Sequence, residues 1–218
     1  MLMLEPTPNH AGIVLWGDSW TLTQIIDFVR KVTDANPVIP DEETFLLGLS
    51  YDVRKAAGGY RLHKVHHQPL PAGNINIFGV EILWPVMLAQ LGLLRRAMAY
   101  MMPSREDQSI MFALEAALEA ALQAVTPANA YALMEQMTVV GAHPHAHLSN
   151  LLDSRCRYFI EQTPSMRISV LPALLASLDP MYSLFAQAHT ESYGSGMIPA
   201  DVWAHFEDDE SDWPAFEW

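Results

Sequence analysis

Apolar positions along this chain follow three rhythms, and each predicts a different kind of element. The first is the continuous run Gly12 to Trp16 (GIVLW), rich in β-branched residues and set between Asn9-His10 and Gly17-Asp18. Such a run predicts a buried strand. The second rhythm steps by three and four: Leu22, Ile25, Ile26, Val29 and Val32 share one helical face, with Asp18 or Ser19 placed to cap it and Asn36-Pro37 to end it. The third is the stretch Gly79 to Met102 (GVEILWPVMLAQLGLLRRAMAYMM), apolar on every face of a helix drawn through it. A helix apolar all round is a core helix. Only the 13 positions from Ile82 to Leu94 lie between its charged flanks. A membrane span needs about 20 apolar residues, so no membrane helix is expected. Pro85 belongs in the first turn of this helix.

The remaining segments read as further elements around that core. A helix opens after Pro40 with Asp41, Glu42 and Glu43, buries Phe45, Leu49 and Val53, and stops at Gly58-Gly59. The stretch YRLHKVHH and the run Ile75 to Phe78 read as strands that join Gly12 to Trp16 in a small sheet. Ser104 with Asp107 three residues on imitates a capping box ahead of Met111, Leu114, Leu118, Ala121 and Val125. This alanine-rich helix is expected to form an antiparallel hairpin with the central one. Thr126-Pro127 opens a short helix through Met137, Leu148 to Gln162 forms another, and Thr163-Pro164 and Asp179-Pro180 each start one more. The fold class is therefore α+β and predominantly α, with a helical core around residues 80–102 and a small N-terminal β element. One domain is expected over residues 1–196, followed by an acidic aromatic segment over residues 197–218.

Charge changes this picture at the C-terminal end. The formal net charge is −13, and residues 201–218 hold seven acids without a Lys or Arg, leaving 18 acids against 12 basic residues elsewhere. An acidic body argues against a broad surface for double-stranded nucleic acid, whose affinity rests on Lys and Arg. Trp203, Phe206, Trp213, Phe216 and Trp218 alternate with those acids. Large rings exposed in a tail gain nothing. They either fold back onto the protein or an oligomer contact, or anchor the segment in a basic, apolar-floored groove of a partner. In character the segment resembles the acidic, aromatic-tipped tails of single-stranded DNA-binding proteins.

Candidate chemistry is sparse. Cys156 is the only cysteine, so no intrachain disulfide can form, and its place in an amphipathic helix suggests an inert thiol. No phosphate-loop, GxSxG or HExxH pattern occurs. His63, His66 and His67 form one histidine group and His143, His145 and His147 another. Convergence of the two would allow a metal, whereas alternate histidines in an extended loop point apart, so no metal or other cofactor is assigned. A response to pH near neutrality is the other use open to them.

Arg61-Leu62-His63-Lys64-Val65-His66 resembles the active-site motif of the HEPN ribonucleases, helical bundles that pair to cleave RNA without metal. The resemblance covers six residues and lacks the polar residue often found after the arginine. It implies phosphate steadying by Arg61 and proton transfer assisted by His66. PTPNHAGIVLWGD, LGLSYDVRKA and GVEILWP together resemble a group of uncharacterised bacterial proteins, which implies a bacterial cytosolic origin and no site residues. The MLMLEPTPNH start carries no export signal, in keeping with a cytoplasmic location. The function expected is that of a non-enzymatic interaction, inhibitory or accessory protein working through Trp203, Phe206, Trp213, Phe216 and Trp218, on an unknown protein partner or by self-association into a homo-oligomer. The alternative is a HEPN-like ribonuclease or other hydrolase using Arg61 and His66, with His63 nearby.

Overall fold

The computed structural model describes residues 1–35, 42–67, 73–145, 147–182, 198, 202–203 and 213–218. Two strands open the chain, β1 (Leu2–Pro6) and β2 (Gly12–Gly17), followed by helices α1 (Ser19–Asp34) and α2 (Glu42–Ala57). A hairpin of β3 (Leu62–His67) and β4 (Asn74–Leu83) leads into α3 (Trp84–Met98). Helices α4 (Arg105–Val125), α5 (Ala130–Ala142), α6 (Leu148–Glu161) and α7 (Pro164–Ala176) complete the order. The four strands form one antiparallel sheet in the order β1-β2-β4-β3. The chain is thus α+β and mostly helical.

One face of the sheet meets the helices. Leu4, Ile13, Leu15, Val80 and Ile82 alternate on that face and share a core with Leu22, Ile25 and Val29 of α1 and Leu49 and Val53 of α2. The α1 start follows its sequence signal, since Asp18 accepts from the Thr21 amide at 2.9 Å. Ser104 and Asp107 close a reciprocal capping box on α4.

The central stretch differs from its expectation at the front. Gly79 to Leu83 belongs to β4, and the helix begins only at Trp84, with Pro85 in its first turn. Strand pairing with β2 accounts for this, because Ile82 and Val80 face Ile13 and Leu15 in register. From Met87 to Leu94 every residue of α3 is buried, as a core helix requires. The expected α3–α4 hairpin is replaced by a close α3–α5 contact. A Cβ on Gly92 would stand 2.1 Å from the Met137 carbonyl oxygen, and one on Gly141 the same distance from that of Gly92. Two glycines let these backbones approach where alanines could not, while α4 lies along β1 instead. β1 itself was not anticipated. Helix α5 also starts later and runs further than Thr126-Pro127 suggested, ending at Ala142. Pro180 and Met181 form a turn, Tyr182 is helical, and the rest of MYSLFAQAH lies outside the described residues. No helix among the described residues is long and apolar enough to cross a membrane.

Candidate functional site

The end of α2 is shaped by the Gly58-Gly59 stop. Gly59 takes the left-handed conformation at φ 77°, the Gly59 amide donates to the Ala56 carbonyl, and the Tyr60 amide donates to that of Lys55. This pair of bonds is a Schellman motif. It satisfies the last carbonyls of the helix with backbone donors, so the cationic side chains of the final turn are not needed there. Those side chains turn outward. Lys55 Nζ lies 4.5 Å above the Tyr51 ring and Arg54 Cζ 5.3 Å from it. Arg61, in the bend before β3, donates to Asp52 at 2.9 Å. Tyr51, Arg54, Lys55, Gly58, Tyr60 and Arg61 together line an open cleft of about 690 Å³.

Electrostatics there are positive on a strongly acidic chain. Three of the 12 Lys and Arg residues line the cleft, and among the described residues only Arg61 of the three has a carboxylate partner. Hydrogen bonding from the Lys55 ammonium and its charge hold the Tyr51 phenol below its ordinary range. Burial raises the nearby Glu81 carboxyl, opposed by the charge of Arg61. Tyr60 is 83% exposed.

Strand β3 continues directly from this cleft, and among the described residues its only strand neighbour is β4. Leu62 and Val65 are exposed along it. Edge strands are commonly guarded by an outward lysine, and Lys64 is the only lysine here. It does not guard the edge. Gly79 leaves room for the Trp16 ring, Lys64 Nζ lies 4.1 Å over that ring, and the ammonium reaches Glu5 of β1 at 2.6 and 2.8 Å. The lysine is laid inward across the sheet.

The motif residues Arg61 and His66 are kept apart. Arg61 turns to Asp52 of α2, whereas His66 lies in β3 opposite Ile75, on the face away from the helices. Four residues lie between them along the chain. His66 lies in a strand and Arg61 in the bend before it, where the HEPN resemblance requires a helix. His63 is exposed and points to the face opposite His66, and His67 meets Asn74 at 2.7 Å. His143 contacts the Val139 carbonyl and His145 that of Leu178. No three His, Cys, Asp or Glu side chains gather as a metal site would require among the described residues. Cys156 is buried and its thiol is pushed far up by burial, with Asp153 adding to the effect.

The C-terminal aromatics divide between the interior and the surface. Trp203 is 2% exposed, with Tyr158 edge-on at 5.0 Å and the Arg155 guanidinium 4.4 Å over its ring. Phe216 and Trp218 pack against each other at 5.0 Å and against the main core. The chain end is clamped: buried Arg167 donates to the carbonyls of Asn9, Glu217 and Ile160, and the Asn9 amide donates to that of Trp218. Trp213 is exposed at 41%, and Phe206 lies outside the described residues.

These features are distributed over the whole length, and one family model spans it. The chain belongs to the family described as Domain of unknown function (DUF6904). That model matches residues 2–218, so the DUF6904 unit takes in the opening β1-β2 hairpin, the cleft and the clamped C-terminal residues alike. No curated protein and no solved structure matches the chain.

The sequence places Arg54 and Lys55 at a helix end and Tyr60 at the start of a strand, and does not mark the four residues with Tyr51 as one group; the strand itself begins only at Leu62. The available signal was their bunching, with two tyrosines and three cations between positions 51 and 61 of an acidic chain. A smaller hollow of about 230 Å³ between α5 and α7, near Gln136, His143 and Asp179, is lined mainly by apolar atoms.

Proposed function

We propose that this chain is a non-enzymatic interaction or accessory protein, and that its docking strand is β3. The observation that carries this reading is an exposed edge strand whose only lysine is turned inward over Trp16 to Glu5. An unguarded edge offers a row of backbone donors and acceptors to an added strand. Its occupant is an extended acidic segment of a partner protein. Charge complementarity argues for this, because Arg54, Lys55 and Arg61 stand at the start of β3 while Leu62 and Val65 supply apolar contacts along it. Of the acidic aromatic segment, Trp213 is the described ring left outward, and it serves as a secondary contact. The burial of Trp203 and the partial burial of Phe216 and Trp218 favour a place for those rings in the fold.

A peptide-display selection against the purified protein tests the proposal, with counter-selection on the double variant Leu62→Lys, Val65→Lys. Enriched peptides should carry several carboxylates and alternate apolar residues, and the double variant should lose them. No enrichment, or enrichment untouched by the two lysines, would remove β3 as the docking strand. Trp213→Ala should weaken the same peptides only slightly.

A further inference from the structure

We infer that the cleft at the end of α2 is a binding site for a small phosphorylated ligand carrying a flat ring, of the nucleoside monophosphate type. The cleft shares Arg54, Lys55 and Arg61 with the docking proposal, but a small ligand there needs no added strand, so the two are tested by different substitutions. Its volume, about 690 Å³, falls within the roughly 300–1,000 Å³ typical of small-molecule sites. The ordinary reason for cations in a last helical turn is to meet free carbonyls and the negative end of the helix dipole. Here the carbonyls of Arg54, Lys55 and Ala56 already accept from the backbone amides of Gly58, Tyr60 and Gly59. The guanidinium of Arg54 and the ammonium of Lys55 are instead held over the Tyr51 ring, which orders two long side chains ahead of any ligand. Neither has a carboxylate partner among the described residues.

An arginine fork beside a lysine point charge suits phosphate oxygens. Arg61 adds a third positive group, partly offset by Asp52. Tyr60 completes the chemistry. Its ring stands largely in water, and an exposed phenol ring beside three cations is placed to stack on a flat ring whose phosphate the cations hold.

Calorimetric titration of the full chain with AMP, with adenosine and with inorganic phosphate tests the site. AMP should bind more tightly than either of its parts, and its affinity should fall as salt is raised. Arg54→Gln with Lys55→Gln should reduce AMP and phosphate binding together, by more than about tenfold for AMP. Tyr60→Ala should weaken AMP by about tenfold while leaving phosphate unchanged. Arg54 and Tyr60 are exposed and Lys55 half-buried, and an unchanged urea midpoint would show that each variant remains folded. The inference is overturned by no AMP binding at about 10 mM, by AMP binding unaffected in the double variant, or by phosphate binding as tightly as AMP. The Leu62→Lys, Val65→Lys variant should keep AMP binding while losing selected peptides, so a failure of the docking strand and a failure of this site would be read separately.

Discussion

Two regions of this molecule combine cations with aromatic rings and use them in opposite ways. On α6, Arg155 stacks over Trp203 and Tyr158 closes the edge, with Arg155 and Trp203 buried and Tyr158 partly so. At the end of α2, Arg54 and Lys55 stack over Tyr51 while Tyr60 and Arg61 face solvent. The contact geometry is alike, so the contact alone does not decide between structure and binding. Burial decides it. A ring removed from water stabilises the fold through its lost apolar area, whereas an exposed ring contributes little until something covers it.

Substitutions should separate the two regions cleanly. Trp203→Ala removes a fully buried ring and should cost about 3–5 kcal/mol in urea unfolding, without altering AMP or peptide binding in protein that remains folded. Arg167→Ala strips the donors from three backbone carbonyls and should cost about 2–4 kcal/mol, again read from the urea midpoint. A smaller effect is expected at the α4 capping box, where Ser104→Ala should cost about 1 kcal/mol. The Asp107 carboxyl of that box is raised by burial but lowered more by hydrogen bonds from Lys31 and Ser104, and lies below its ordinary range. A lowered carboxyl stabilises the fold above its unfolded pKa and loses that contribution as pH falls through its folded pKa. The gap in stability between wild type and Asp107→Asn should therefore be full at neutral pH and close in acid. Smallest of all, Tyr60→Ala should move stability by no more than about 0.5 kcal/mol while weakening AMP.

The helical part of the fold was legible wherever a periodic apolar face met a local stop. Leu22 to Val32 under the Asp18 cap, and the Gly58-Gly59 stop, are signals written within a few residues. What was not legible depended on pairing across long distances. Gly79 to Leu83 reads as helix by itself and becomes strand only because β2 lies beside it. Likewise Gly92 and Gly141 reveal their contact only when α3 and α5 meet. At the C-terminal end the sequence left two placements for the tryptophans, because a ring that needs covering does not say what covers it. Arg155, Tyr158 and Arg167 supply the answer for Trp203 and the last residues, and none of them is marked in sequence. The cleft escaped notice because its parts are ordinary one by one.

The division between a closed aromatic end and an open one is tested most directly by urea unfolding of Trp203→Ala beside Tyr60→Ala. The account predicts a loss of about 3–5 kcal/mol for the first and almost none for the second. Equal and small effects would contradict it, since Trp203 would then belong to a free tail and not to the fold.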